Sequence, residues 1–168
     1  MLAGRNRMAS TILVRMAALR DAPHLVSFNM AMAHETEELA LDEATVLAGV
    51  RGLFERPEYG FYLVAEIGGE VVGGLMVTPE WSDWRNGVFW WVQSVYVRPE
   101  RRGQGVYRAL YDEVRRLARE HGEVCGIRLY VEKDNRRAQA VYRRLGMSET
   151  HYRLFEAPFD PSGGGAHE

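Results

Sequence analysis

The chain has 168 residues, of which 46% are hydrophobic and 26% charged, and its formal net charge at pH 7 is −2. This length suits one domain with a buried core, and this composition is that of an ordinary soluble globular protein rather than a disordered or fibrous one. The small negative charge argues against general nucleic-acid binding through bulk charge, so we expect no nucleic-acid partner.

The cysteine count and the N-terminal residues bear on location. Cys125 is the single cysteine, which excludes an internal disulfide and suits a reducing compartment, so we expect a cytoplasmic protein. The basic N-terminus is not followed by a sustained apolar segment, and we expect neither a signal peptide nor a membrane span. We expect a flexible N-terminus over residues 1–10, one domain over 11–155, and a mobile tail rich in proline and glycine over 156–168.

In chain order, the first predicted elements are a short strand, two helices and a β-hairpin. Asp21 and Pro23 are typical of a helix start, and Asp42 is typical of an N-cap. Gly68-Gly69 can adopt the positive φ angles of a tight turn between two apolar runs. The predicted ranges are a strand from Thr11 to Met16, a helix after Pro23, a helix from Glu43 to about Phe54, and strands from Phe61 to Ile67 and from Glu70 to Val77.

Two stretches in this part of the chain have two interpretations each. The acidic run from His34 to Glu38 is either a solvated surface or an acidic wall that attracts a cationic amine. Trp81 and Trp84, in a turn-rich stretch, either cover the edge of a sheet or form a wall of a substrate pocket.

The next stretch has the order strand, glycine loop, helix. Phe89 to Val97 is an apolar run, and apolar residues recur at helical spacing from Val106 to about His121. Backbone N–H groups at a helix start, next to Gly103 and Gly105, can bind phosphate, and the adjacent arginines Arg101 and Arg102 can grip pyrophosphate oxygens. The spacing fits neither the dinucleotide fingerprint nor the Walker motif.

The last elements complete a β-α-β crossover. Ile127, Leu129 and Val131 alternate with polar residues as in a strand, and a helix capped by Asp134 or Asn135 follows. We expect a final strand from Met147 to Phe155. The crossover predicts a mixed sheet with helices on both faces.

Two motifs together resemble the GNAT superfamily of N-acetyltransferases. Asn135, Ala138, Tyr142 and Gly146 resemble its second signature, and the glycine loop resembles its first. The resemblance implies an α/β, GNAT-like acyl-CoA N-acyltransferase fold with a central mixed β-sheet flanked by helices. It also implies that acetyl-CoA is the co-substrate and that the acceptor is a primary amine of a small molecule or peptide. A homodimer is common in the superfamily.

The resemblance implies a role for each matching residue. The Val95 amide would stabilise negative charge on the thioester carbonyl oxygen, and the Tyr142 phenol would donate a proton to the departing thiolate. Asn135 would hydrogen-bond the cofactor or hold the helix start. The cofactor would pair along Val95, Tyr96 and Val97, and its pyrophosphate would meet the amides of Arg102, Gly103, Gln104, Gly105, Val106 and Tyr107.

The sequence departs from the family pattern at two places. Tyr107 stands where the loop usually closes with glycine or alanine. Trp91 and Gln93 occupy the usual positions of the general base, and neither side chain can take a proton from an ammonium group. The base is therefore Glu35, Glu37 or Glu38, or a water polarised by Gln93 and Ser94, unless the amine arrives neutral.

Other functions are compatible with parts of the pattern. A sensor domain that binds acyl-CoA with little turnover is the main alternative, because the usual base is absent. A third alternative is nucleic-acid binding through four arginines, Arg98, Arg101, Arg102 and Arg108. Cys125 is expected to be a small buried hydrophobic residue, and the five histidines lack metal-ligand spacing, so we predict no metal.

Overall fold

The computed structural model describes residues 11–159. They divide into two compact units, one ending at Tyr130 and one beginning at Val131, and each is described by itself. The predicted flexible N-terminus and residues 160–168 of the predicted tail lie outside the described residues. The extent of the single domain, 11–155, stays a prediction.

The described residues of the first unit form five strands and three helices. Four short 3₁₀ turns, at Leu19–Asp21, Pro57–Tyr59, Asp83–Arg85 and Pro99–Arg101, join some of them. The elements are β1 (Ile12–Met16), α1 (Ala22–Glu37), α2 (Glu43–Glu55), β2 (Phe61–Ile67), β3 (Glu70–Ser82), β4 (Gly87–Val97), α3 (Val106–His121) and β5 (Val124–Arg128).

The strands form one mixed sheet in the order β1-β2-β3-β4-β5. The first four strands pair antiparallel, whereas β4 and β5 pair parallel and are connected through α3. A parallel pair needs such a crossover, which confirms the predicted β-α-β unit and mixed sheet.

The core lies on both faces of this sheet. In β2, Leu63 and Ala65 pack in one hydrophobic cluster with residues of α3, and Tyr62 and Val64 pack in a second cluster with residues of α1 and α2. Successive strand residues point to opposite faces, so α3 covers one face and the other two helices cover the opposite face. The prediction of helices on both faces is confirmed.

An ion pair fixes the start of α1. Asp21 is buried and accepts hydrogen bonds from two nitrogens of Arg15, at 2.7 and 2.9 Å, and from the Ala18 amide at 2.7 Å. The Arg15 hydrogen bonds hold the pKa of Asp21 below its ordinary value of 3.8. At the start of α2, Asp42 accepts from the Thr45 amide at 2.8 Å, as predicted for an N-cap.

Two strands end at positions different from those predicted. β3 continues past Val77 through Pro79 to Ser82, because β2 stops opposite Val77 and leaves an open edge that tolerates proline. β5 ends at Arg128, where its pairing with β4 ends, so the prediction that the strand continues to Val131 is wrong.

The prediction that Cys125 is buried is also wrong. The thiol is free and exposed. β5 is the outermost strand of the sheet, so the sheet covers it from one side only.

The second unit contains one helix, α4 (Arg136–Arg144), within its described residues. Asn135 is its N-cap and accepts from the Ala138 amide at 3.0 Å, and Gly146 has the left-handed φ of 86° that ends helices. The predicted strand from Met147 to Phe155 does not form. Its apolar residues Leu154 and Phe155 are exposed, so the segment lacks the buried face that stabilises a strand.

Candidate functional site

A β-bulge interrupts β4 near its end. Gly74 stands opposite Tyr96 and Met76 stands opposite Gln93, so Leu75 alone faces both Ser94 and Val95. Ser94 has a φ of 49°, which is uncommon for a residue with a side chain. Bulges re-aim backbone groups and are frequent at active sites. Val95, the predicted oxyanion donor, therefore lies at the irregular point of the strand.

Within the described residues, the last part of β4 pairs with a strand on one side only. β5 pairs with β4 from Val88 to Trp91, and the pairing stops there. From Val92 to Val97, β3 is the strand that remains paired. The other edge of this segment offers backbone N–H and C=O groups to an extended ligand, in the manner of a strand addition.

The loop that follows β4 has the features of an anion site. Gly103 and Gly105 have φ angles of 77° and 87°, and open space surrounds both positions. Gly105 is the N-cap of α3, and no side chain caps the helix. Among the described residues, the amides of Gly103 through Val106 have no hydrogen-bond acceptor. Such amides, together with the helix dipole, favour a bound anion.

Arg102 has several contacts within the protein. Its Nε donates to the Val97 carbonyl at 2.8 Å, its Nη2 donates to Glu35 at 2.7 Å, and its guanidinium lies 5.3 Å from the centre of the Tyr96 ring. Arg101 lies 3.8 Å from Glu70. Both arginines thus lie beside carboxylates, whereas the loop amides are available to donate hydrogen bonds to an anion. Direct contact of the arginines with pyrophosphate stays a prediction.

The three candidate base carboxylates differ in their surroundings. Glu35, in the last turn of α1, accepts from the Tyr96 hydroxyl at 2.7 Å as well as from Arg102. These two hydrogen bonds, the Tyr96 bond first, lower the pKa of Glu35 below its ordinary value, which makes it a weaker base. Glu37 ends α1 and is exposed, and Glu38 follows in a left-handed conformation with a φ of 53°.

The residues at the usual base positions face polar partners. Gln93 donates to the Thr78 hydroxyl at 2.5 Å and accepts from the Tyr130 hydroxyl at 3.4 Å. The Trp91 indole donates to Glu80 on the neighbouring strand. The sheet thus brings together β3 and β4 side chains on the face that α1 and α2 pack against.

Sequence reasoning missed Glu80 and its partner Arg128. Arg128, the last residue of β5, donates to Glu80 at 3.0 Å. No motif marks either residue, and they are 48 positions apart. Only the register of three strands brings them together, so the sequence alone carries no signal for the pair.

The other predicted site residues lie in two places. Tyr107 is the second residue of α3 and stacks with Tyr111 at 6.2 Å between ring centres. Tyr142 lies in α4 of the second unit, where burial raises the pKa of its phenol above 10.0. Its protonated form, which a general acid needs, is therefore favoured.

Trp81 and Trp84, at the end of β3 and just after it, are both solvent-exposed. Trp81 lies in β3 with 61% of its surface exposed, and Trp84 lies in the following 3₁₀ turn with 86% exposed. At these exposures neither ring lines an enclosed cavity.

The described residues contain neither a cluster of metal ligands nor a helix that could span a membrane. No three His, Cys, Asp or Glu side chains between residues 11 and 159 gather as metal ligands would. No helix in that part of the chain is long and apolar enough to cross a membrane.

Comparisons with known proteins agree with this geometry. The model of the acetyltransferase (GNAT) family matches residues 15–147. A possible acetyltransferase from Clostridium difficile 630 is 38% identical, with a TM-score of 0.82 over 89% of this chain and 98% of that one. No curated protein sequence matches.

Two further solved structures share the fold. An integron cassette protein from the mobile metagenome of Cole Harbour Salt Marsh is 26% identical, with a TM-score of 0.77 over 88% of this chain and 91% of that one. A predicted acetyltransferase from Clostridium acetobutylicum, solved with acetyl-CoA, is 18% identical, with a TM-score of 0.72 over 88% and 96%.

Proposed function

Since the chain belongs to the acetyltransferase (GNAT) family, we propose that it transfers an acetyl group from acetyl-CoA directly to a primary amine of a small molecule or peptide. The bulge and open edge of β4 lead directly into a loop whose amides, at the start of α3, have no described acceptor. An open strand edge that leads directly to an anion site suits a long ligand with a diphosphate group.

The residues present fit acetyl-CoA. The edge from Val95 to Val97 would pair with the extended arm, and the amides from Arg102 to Tyr107 would bind the pyrophosphate. Asn135 already caps α4, so we assign it the role of holding that helix start. The cofactor would supply an acetyl group activated as a thioester. The acetyl-CoA in the Clostridium acetobutylicum structure supports this assignment.

Two groups would act on the reacting atoms. The Val95 N–H, at the bulge, would donate to the carbonyl oxygen where negative charge develops, and it would stabilise the transition state more than the ground state. The Tyr142 phenol would donate a proton to the leaving sulfur. Its raised pKa keeps that proton available at neutral pH.

The proton of the amine needs an acceptor. We propose Glu37, which is exposed at the end of α1, or a water held near Gln93. Gln93 is oriented by Thr78 and Tyr130, so its side chain is fixed enough to position a water. Glu35 is less suited because its carboxylate accepts from both Tyr96 and Arg102.

The test measures CoA thiol release from acetyl-CoA over a panel of small amines and peptides, with acetylated product confirmed by mass. We expect thiol release that depends on the amine and that falls strongly in Tyr142→Phe. Acetyl-CoA binding with no amine-dependent thiol release over the whole panel would indicate a sensor instead.

The single cysteine, which cannot form an internal disulfide, supports a cytoplasmic location. The frequency of dimers in the family supports a homodimer. Cell fractionation would test the location, and light scattering of the purified protein would test the oligomeric state.

A further inference from the structure

Two arginines lie over one aromatic ring on the outer part of the sheet. The Arg128 guanidinium is 3.6 Å from the centre of the Phe89 ring, and the Arg85 guanidinium is 5.0 Å from it. Arg128 also lies 6.0 Å from the Trp91 ring. Both distances to Phe89 are within the range of cation–π contact. We call Arg85, Phe89, Trp91, Arg128 and Glu80 the guanidinium platform.

The platform is built into the sheet. Phe89 stands opposite Gly126 of β5, and a β-carbon on Gly126 would lie 2.5 Å from the Phe89 ring. The missing side chain is therefore what lets the ring approach β5 so closely. Arg128, two residues farther along the same strand, lies over that ring.

The positive charge of the platform is only partly neutralised. Glu80 accepts from Arg128 at 3.0 Å through one guanidinium nitrogen and also accepts from the Trp91 indole. Arg85 forms no ion pair among residues 11–159. Two guanidinium groups and one carboxylate leave a formal excess of one positive charge.

The donors that remain are reachable. The side chain of Arg128 is 33% exposed and that of Glu80 is 43% exposed. A guanidinium has five N–H donors, and Glu80 uses one nitrogen of Arg128. A carboxylate from a ligand can therefore bind Arg128 beside Glu80, and Arg85 adds a second charge.

The platform lies on the same face of the sheet as the predicted reaction centre. Phe89, Trp91 and Gln93 alternate along β4, and Gln93 precedes the bulge at Ser94 and Val95. Trp91 is four residues from Val95, which is roughly 13 Å along a strand. A ligand with its amine near Val95 could thus reach Arg128 with a group about 13 Å away, which is roughly the length of four extended residues.

We propose that the acceptor carries a carboxylate at about that distance from its reactive amine, as a short peptide does, and that Arg128 and Arg85 bind it. This inference rests on the proposed function. Arg128 is the main recognition residue because it is stacked, oriented by Glu80 and partly exposed. Arg85 adds long-range attraction.

The experiment compares tetrapeptides as free acids with the same tetrapeptides as C-terminal amides. The amide keeps the reactive amine and removes only the negative charge. Steady-state kinetics with acetyl-CoA give KM for each member of a pair, and calorimetry of the CoA-loaded protein gives its affinity without turnover. The variants are Arg128→Gln, Gly126→Ala and, as a control on the exposed side of α3, Arg119→Gln.

We expect the free acids to bind at least about 10-fold more tightly than the amides, the usual scale for a hydrogen-bonded charge pair. Arg128→Gln should abolish this preference, raise KM for the acids and leave KM for acetyl-CoA unchanged. Gly126→Ala should reduce the preference by displacing Phe89, and Arg119→Gln should preserve it.

Equal affinity for acids and amides in the unmodified protein, or an acid preference that survives Arg128→Gln, would overturn the inference. In either case, acetylation of the peptide amides would still support the proposed acetyltransferase function. If no peptide is acetylated, calorimetry still decides: acid-selective binding that Arg128→Gln removes supports the platform, and its absence rejects it.

Discussion

The Glu35 carboxylate accepts hydrogen bonds from the Arg102 guanidinium and the Tyr96 hydroxyl, each at 2.7 Å, so the last turn of α1 is tied to the loop before α3. The acidic run that contains Glu35 had two interpretations, a solvated surface or an acidic wall. Glu35 fits neither completely, because its carboxylate is hydrogen-bonded to Arg102 and Tyr96 at the protein surface.

This contact predicts a pH dependence of stability. The pKa of Glu35 is lowered in the folded protein, so its contribution to the free energy of unfolding is complete above the ordinary value of 4.5 and is lost as the pH falls through the lower folded value. We expect Glu35→Gln to be less stable than the unmodified protein at pH 7, with the difference shrinking in acid. Urea unfolding between pH 3 and 7 measures it.

Glu37→Gln is the matched control for this experiment, since it removes a carboxylate from the same turn that has no ion pair among the described residues. A stability difference for Glu35→Gln that stays constant down to pH 3 would contradict the assignment.

Gly103 and Gly105 should matter for binding as well as for stability. Alanine at their positive φ angles costs about 1–2 kcal/mol each, because the left-handed region is strained for residues with a β-carbon. Gly122 ends α3 with a φ of 79°, far along the helix from the loop. We expect all three alanine variants to lose similar stability in thermal unfolding, whereas only the two loop variants lose acetyl-CoA affinity.

The loop would not be the cofactor site if Gly103→Ala and Gly105→Ala left the affinity for acetyl-CoA unchanged, or if Gly122→Ala lowered that affinity equally. Calorimetry at a temperature where all three variants are folded makes this comparison.

Tyr142→Phe should act on the chemical step. Removal of a general acid lowers rates by about 100-fold or more, and the ring of phenylalanine retains the packing. We expect kcat to fall by this amount with KM for acetyl-CoA within about 2-fold. Because burial raises the pKa of this phenol above 10.0, the unmodified enzyme should keep its acid form throughout the neutral range and lose it only above pH 10.

A kcat for Tyr142→Phe within a few-fold of the unmodified value would show that Tyr142 contributes packing and does not act as the general acid. Circular dichroism of the variant should match that of the unmodified protein, which excludes a folding defect as the cause of any loss.

Asp21→Asn should destabilise the fold. The substitution breaks a pair in which the aspartate side chain is 4% exposed, and losing one partner of a buried pair costs about 3 kcal/mol. The pKa of Asp21 is lowered, so this contribution is present above pH 3.8 and is lost as the pH falls below it. Asp112→Asn, in an exposed pair 3.7 Å from Arg108, should cost less than about 1 kcal/mol.

Chemical unfolding of both aspartate variants at pH 7 provides the comparison. Similar losses for the two would mean that the Arg15–Asp21 pair is no stronger than a surface pair.

Local patterns predicted most of the elements. The apolar spacing after Gly105 predicted a helix to about His121, and the structure has α3 at Val106–His121. Residue type and position predicted Asp42 as one cap and either Asp134 or Asn135 as another, and in the structure Asp42 and Asn135 each accept a hydrogen bond from a backbone amide. These features depend on neighbours within four residues, which a sequence displays directly.

Features that depend on pairing between distant strands could not be read in this way. The bulge at Ser94 arises from the register of β3 against β4, and the Glu80–Arg128 contact arises from the register of three strands. The strand predicted at Met147–Phe155 has strand-like residues, but its large side chains are exposed and it has no strand partner in the described part of the chain. Alternation of residue types cannot show whether a partner is available.

We propose that amides at the start of α3, together with the edge of β4, bind the cofactor. NMR titration of isotope-labelled protein with CoA tests it most directly, because each backbone amide reports its own environment. We predict the largest shifts at Gly103 to Val106 and at Val95 to Val97. Large shifts confined to other segments, with these amides unmoved at saturating CoA, would contradict the claim.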